Sequence, residues 1–131
     1  MRLVIPNNYP GIEHLADAVR AFVRDLPPRA AYAVQLVTEE ITTNIVKYGY
    51  GMGEQRTIAV ELEPCADGVT IRFEDDGEPF DPTKPPPVDV AARLEEGLPG
   101  GLGLHLVQRF AASLVYRRED GKNKLEALIR T

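Results

Sequence analysis

The chain has 131 residues, of which 44% are hydrophobic and 27% charged, as is typical of one compact globular domain. Its net charge of −5 argues against a general nucleic-acid-binding protein, because neutralising phosphates needs clustered lysine and arginine. The single cysteine, Cys65, excludes an internal disulfide, and the two histidines are too few for a histidine-rich metal site.

The first residues, MRLVIPNNYP, contain no hydrophobic signal core, and no apolar run approaches the roughly 18 residues of a membrane span. We therefore expect a cytoplasmic protein without membrane contact. A nucleotide ligand remains compatible with the acidity, because backbone amides at a helix N-terminus bind phosphate with little side-chain charge.

Hydrophobic periodicity predicts the order strand, helix, helix, strand, strand, proline-rich loop, helix, strand, strand. The predicted strands cover residues 1–5, 56–63, 69–75, 114–118 and 124–131, with a turn at 119–123. The first helix is predicted at 12–26, after a break at Pro10 and Gly11, and the second at about 29–48. These helices are too few to cover both faces of a parallel sheet. We therefore expect an α+β two-layer sandwich, with a mostly antiparallel or mixed sheet and its helices on one face.

The segment from Gly77 to Gly100 differs in composition from the rest of the chain. It holds six of the 11 prolines, at positions 79, 82, 85, 86, 87 and 99. A short helix at about 88–96 fits inside it. A long connection of this kind inside a compact domain is usually functional or mobile.

The second predicted helix carries two stripes of side chains, within and just before the stretch LVTEEITTNIVKYGY. Its core-facing stripe consists of Ala33, Val34, Val37, Ile41 and Ile45. Glu40, Asn44 and Lys47 follow the same spacing on the neighbouring stripe. A carboxylate and an amide one turn apart at the edge of an apolar face favour a cleft lining. An amphipathic helix with ordinary boundary residues explains the same pattern.

Asp75 continues the alternation of Val69, Ile71 and Phe73, so its side chain is predicted to face the covered side of the sheet. A buried carboxylate costs stability unless it is hydrogen-bonded, which indicates a functional position. The alternative is a capping or turn residue, because Asp76-Gly77 is a turn signal.

The run GGLGLHLVQRFAA places Gly100, Gly101 and Gly103 at the start of an apolar helix. It lacks the third glycine of a GxGxxG fingerprint and follows a loop, and no GxxxxGK[ST] sequence exists, so Rossmann and P-loop sites are disfavoured. Glycine-rich backbone at a helix N-terminus still suits an anion. The alternative is that glycine only permits a tight turn into the helix, but this would explain one such glycine better than it explains three.

Three stretches in this order, EITTNIVKYGY, FEDDGEPFDP and GGLGLHLV, resemble the ATP-binding fold shared by DNA gyrase, Hsp90, sensor histidine kinases and MutL. The likeness is greatest to the small serine kinases that act as anti-sigma factors in bacteria. It implies a Bergerat-type sandwich in which residues 1–131 form a single histidine kinase-like ATPase domain, with a lid at about 77–100.

The resemblance also implies roles for individual residues. Asn44 would ligate Mg²⁺, and Glu40 would be the general base that activates the attacking hydroxyl. Asp75 would accept a hydrogen bond from the adenine amino group, and Gly77 would let the base approach. The residues implied to wrap the ATP phosphates with backbone amides are Gly101, Leu102, Gly103 and Leu104.

Three further side chains near these motifs have less specific roles. Lys47 could approach a phosphate or be a plain surface lysine. Glu39 lies about 100° around the helix from Glu40 and is expected to be solvated. His105 is expected to be structural or to face solvent.

The sequence departs from the family pattern at two places. Pro79 replaces the second glycine of the DxGxG adenine box, which we interpret as a subfamily trait. Some family kinases carry an arginine just before the second glycine box, whereas this chain has Leu98-Pro99 there and its only lid arginine, Arg93, earlier. This difference bears on phosphotransfer more than on ATP binding.

The resemblance leads to one main functional hypothesis and two alternatives. The main one is a protein serine/threonine kinase of transcription regulation that uses ATP and Mg²⁺. Its partners would be a small serine-containing anti-sigma factor antagonist and a sigma factor, and the family tends to form homodimers. The alternatives are a nucleotide-gated module that sequesters its partner without kinase activity, and an α+β scaffold without nucleotide.

Overall fold

A computed structural model describes residues 1–49, 55–84 and 102–131, without the side chain of Leu102. The predicted short helix at 88–96 lies outside the described residues, as do Arg93 and the glycines at 100 and 101. Within the described part, no helix is both long and apolar enough to cross a bilayer.

The described elements follow the predicted order. They are β1 (Arg2–Pro6), α1 (Tyr9–Phe22), α2 (Pro28–Tyr48), β2 (Thr57–Cys65), β3 (Gly68–Asp75), α3 (Leu102–Phe110), β4 (Ser113–Glu119) and β5 (Lys122–Arg130).

The start of α1 corrects the sequence prediction, which placed a break at Pro10 and Gly11. Asn8 caps the helix, because its Oδ1 accepts the Gly11 N–H at 2.8 Å. Pro10 fits the first turn because its missing N–H is not needed there. The helix also ends at Phe22 instead of residue 26, and the prolines at 27 and 28 follow after one irregular turn.

The five strands form one sheet in the order β1-β2-β3-β5-β4, and all four described pairings are antiparallel. Of the two predicted arrangements, mostly antiparallel or mixed, the described sheet is therefore the antiparallel one. β3 is central, since Ile71 lies opposite Leu62 on β2 and Ala127 on β5. The chain thus brings its last strand beside the end of β3.

The core lies between one face of the sheet and the helices. The predicted stripe of α2 is buried, and it shares one hydrophobic cluster with the inward-facing residues of the strands. On the opposite face Arg72 binds the carboxylates of Glu61, Glu63 and Glu126, at 2.9, 2.6 and 3.0 Å. One apolar and one charged face confirm the two-layer sandwich with helices on one side.

Replacing Asn8 by alanine tests the corrected start of α1. Asn8→Ala should lower the free energy of unfolding by about 1 kcal/mol, because the Gly11 N–H loses its acceptor. Chemical denaturation measures this loss, and Glu13→Ala, an exposed position further along the helix, is the control. Equal stability of both variants would contradict the assigned cap.

Candidate functional site

A cleft opens where the second half of α2, the end of β3, residues 77–82 and the β4–β5 hairpin meet. The space between its walls, including the part that is open solvent, measures about 410 Å³. Its apolar walls include Ile41, Ile45, Phe73, Phe80 and Leu125. Its polar groups are Asn44, Asp75, Glu78, Tyr116 and Asn123. Mainly apolar walls with a few polar groups are typical of a small-molecule site.

Asp75 lies at the end of β3 with its side chain inside, as the alternation predicts, and is only 5% exposed. Its Oδ2 accepts hydrogen bonds from the Gly77 N–H at 3.0 Å and from Asn123 Nδ2 at 3.2 Å. Burial raises the pKa of this carboxyl above its usual value, and the two hydrogen bonds offset part of that rise. Among the described residues no group donates to Oδ1, so this oxygen is available to a ligand.

Gly77 contacts the end of α2. A Cβ at this position would lie 2.2 Å from the Gly49 carbonyl oxygen, so only glycine allows the approach. The next residue, Glu78, donates its N–H to the same oxygen at 2.6 Å. Packing against the end of α2 therefore requires glycine at position 77, in addition to the expected role of Gly77 near the base.

Glu40 and Gly103 are in direct contact. A Cβ at position 103 would lie 1.9 Å from Glu40 Oε2, so the carboxylate occupies the space that the missing side chain leaves at the first turn of α3. Burial, and secondly the charge of Glu39, raise the pKa of the half-buried Glu40 carboxyl, and Lys47 partly lowers it. Glu39 itself is exposed, as predicted.

Asn44 lies one turn beyond Glu40 and lines the cleft. Its Nδ2 donates to the Glu40 backbone carbonyl at 2.8 Å, so the nitrogen is held against its own helix. The other end of the amide, Oδ1, is the end that a ligand would meet.

The remaining predicted site residues are less closely grouped. Lys47 is exposed beyond Asn44, and its charge acts on Glu40. Leu104 is buried in the core, which leaves only its backbone for a ligand. Leu102 begins α3, whereas Gly101 lies outside the described residues. His105 is half-buried, and its Nε2 is a buried atom without a hydrogen-bond partner in the described part of the chain.

Sequence reasoning missed Asn123, because it placed residues 119–123 in a turn. The strand in fact begins at Lys122, and Asn123 is 7% exposed and pairs in register with Asp75. The signal was present: Asn123 continues the inward alternation of Leu125, Ala127 and Ile129.

The donor set fits a magnesium ion held jointly with a nucleotide. Among the described residues no cluster of three or more histidine, cysteine, aspartate or glutamate side chains could enclose a metal ion. Magnesium usually takes one or two protein oxygens and completes its shell with phosphates and water. Asn44 Oδ1, which accepts no hydrogen bond from the described residues, is one such oxygen, and its side chain lies one helical turn from Glu40.

The buried charge of Asp75 is expected to cost stability at neutral pH. Because the folded-state pKa is raised, this cost is present above that pKa and disappears as the pH falls through it. Asp75→Asn should therefore have a higher free energy of unfolding than the wild type at neutral pH, as measured by chemical denaturation. The gain should shrink in mildly acidic buffer.

Asp67→Asn, at an exposed turn, is the matched control and should change little at either pH. A pH-independent loss of stability in Asp75→Asn would show that the carboxylate is a net stabilising group.

Comparison with known proteins identifies the family to which the chain belongs. A family model described as a histidine kinase-like ATPase domain matches residues 6–129. The serine/threonine-protein kinase BtrW of Bordetella bronchiseptica is 32% identical over 97 residues, 74% of this chain and 68% of that protein. An anti-sigma F factor of Clostridium perfringens is 28% identical over 114 residues, 82% of this chain and 79% of that protein.

Among solved structures, the histidine kinase domain of a blue-light activated histidine kinase from Erythrobacter litoralis has a TM-score of 0.58 and 13% identity. The match covers 92% of this chain and 59% of that one, and it shows a common fold. With the family match over nearly the whole length, the chain belongs to the histidine kinase-like ATPase family.

Proposed function

We propose that this chain is an ATP-binding regulatory protein-serine kinase of an anti-sigma pathway. It phosphorylates a small serine-containing antagonist protein, sequesters a sigma factor, or does both. The observation that carries the proposal is the contact of the Glu40 carboxylate with Gly103 at the start of α3, one helical turn from Asn44 in the cleft. The printed names of two relatives, a serine/threonine-protein kinase and an anti-sigma F factor, support the choice of pathway.

The Asp75 end of the cleft is the proposed site of the adenine base. The free Oδ1 accepts a hydrogen bond from the exocyclic amino group, and Ile45, Phe73 and Leu125 give the base apolar walls. A buried carboxylate that must be paired discriminates well between bases, because the wrong base leaves it unpaired.

The phosphates are proposed to lie toward the start of α3, because the first N–H groups of a helix have no acceptor within it and suit an anion. The family resemblance assigns this role to the backbone of residues 101–104. Asn44 Oδ1 would hold Mg²⁺, which would supply positive charge to stabilise the charge that develops during phosphoryl transfer. Lys47, exposed beyond Asn44, adds positive potential on the same side.

Glu40 is the proposed general base. It takes the proton from the serine hydroxyl of the antagonist as the hydroxyl oxygen bonds to the γ-phosphorus. The bond from that phosphorus to the β,γ-bridging oxygen breaks, and ADP leaves. The raised pKa suits this role, since it makes the carboxylate a stronger base than an exposed glutamate.

A labelled-phosphate transfer assay tests the proposal. The purified chain is mixed with Mg-ATP labelled at the γ-phosphate and with a small serine-containing anti-sigma factor antagonist. Glu40→Gln keeps the size of the side chain, so it should bind ATP normally but transfer phosphate about 10² to 10⁴ times more slowly. Glu39→Gln, the exposed neighbouring carboxylate, is the control and should keep its activity.

The same assay separates the alternatives. A wild-type chain that binds ATP without transferring phosphate would be a nucleotide-gated binding module, a function favoured by Leu98-Pro99 at the place of the family arginine. Absence of ATP and ADP binding in isothermal titration would leave only the scaffold. Full activity of Glu40→Gln would refute the role of Glu40.

The pH dependence of phosphotransfer gives a second check on Glu40. A general base works only when ionised, so the rate should fall as the pH drops through the raised pKa of Glu40. Glu39→Gln removes the second cause of that rise, so the acid limb of its rate profile should move to lower pH. Single-turnover rates at a series of pH values measure the limb, and an unmoved or opposite shift would contradict the assignment.

A further inference from the structure

We propose that Asn123 is a positioning residue for base recognition, which fixes the Asp75 carboxylate so that its Oδ1 meets the 6-amino group of adenine. The inference rests on the proposed nucleotide binding and adds a specificity determinant to it. It starts from a hydrogen-bond network that joins the β4–β5 hairpin to Asp75 and to the segment after it.

The Asn123 amide is satisfied at both ends. Its Nδ2 donates to the Glu78 carbonyl at 2.9 Å and to Asp75 Oδ2 at 3.2 Å. Its Oδ1 accepts the Tyr116 hydroxyl at 2.6 Å and the Phe80 N–H at 3.4 Å. A carbonyl oxygen can only accept and a backbone N–H can only donate, so the amide has one favourable orientation.

That orientation fixes the direction in which the free oxygen of Asp75 points. Oδ2 is occupied by the Asn123 amide and by the Gly77 N–H, and turning the plane of the carboxylate away from these donors would break both hydrogen bonds. Oδ1 therefore keeps a fixed direction and no donor among the described residues. Adenine presents an amino donor at position 6, whereas guanine presents a carbonyl oxygen that this acceptor would repel.

The hairpin geometry explains why Asn123 is held so firmly. Asp120 and Gly121 form its tight turn with φ of 54° and 73°, values typical of an Asp-Gly hairpin turn that sets the strand register. In that register Tyr116 lies diagonally across from Asn123, within reach of a long aromatic side chain. Arg118, directly opposite Asn123, donates to the Gly77 carbonyl at 2.7 Å.

A purely structural role and a positioning role differ in what they do to base selectivity. The probes are ADP and purine riboside 5′-diphosphate, which lacks only the 6-amino group. Isothermal titration of the full chain with both ligands gives a ratio of affinities for each variant. Comparing these ratios isolates the amino-group contact, because a general loss of stability or a change in the shape of the cleft lowers the affinity for both ligands alike.

The wild-type chain should bind ADP roughly tenfold or more tightly than the analogue, as expected for a hydrogen bond to a charged group. In Asn123→Ala the ratio of the two affinities should fall most of the way to its value in Asp75→Ala, in which the contact with the amino group is lost completely. Tyr116→Phe keeps the ring and removes only the hydroxyl that orients the amide, so it should lower the ratio by a smaller factor. Asn8→Ala, an equivalent truncation at a residue that does not line the cleft, should leave the ratio unchanged.

If Asn123→Ala lowers the affinity for both ligands equally and keeps the wild-type ratio, the inference is overturned and the proposed function still stands. If Asn123→Ala does not fold, the ratio of Tyr116→Phe decides in the same way. A wild-type chain that binds neither nucleotide would refute the proposed function and this inference with it. A wild-type ratio near one would refute the role of Asp75, and the role of Asn123 as its positioner falls with it.

Discussion

The buried carboxylate of Asp75 is the constraint around which the cleft is arranged. A charge inside a protein must be hydrogen-bonded, and Asp75 obtains its partners from a backbone N–H two residues on and from a side chain 48 residues away. That side chain needs its own partners, which Tyr116 and the backbone at 78–80 supply. One inward carboxylate is thus joined by hydrogen bonds to the segment after β3 and to the β4–β5 hairpin.

This dependence joins binding to folding. Glu40 and Asn44 belong to α2 and Asp75 to β3, while Asn123 reaches the site only when β5 pairs with β3. The site therefore exists only in the assembled sheet. A ligand that fills it binds the folded state alone and stabilises the chain by mass action.

The sequence contained the main parts of this arrangement. The stripe of α2, the inward direction of Asp75 and the exposure of Glu39 follow from periodicity alone, because one buried face fixes the parity of every neighbour. Asn8 and Asn123 were missed because asparagine near proline or glycine is a strong turn signal. Asn8 instead caps α1, and Asn123 belongs to β5, where its alternation with Leu125 outweighs the turn signal. The contact of Glu40 with Gly103 needs the packing of α3 on α2, which no local pattern encodes.

Gly103 also separates two kinds of evolutionary pressure. The three atoms nearest to a methyl group there would all belong to the flexible Glu40 side chain, and alanine favours a helix more than glycine does. Selection for folding alone would therefore accept alanine, whereas selection for a correctly placed Glu40 would reject it. Among relatives, the residue at this one position would then distinguish lineages that keep phosphotransfer from lineages that keep only the bound partner.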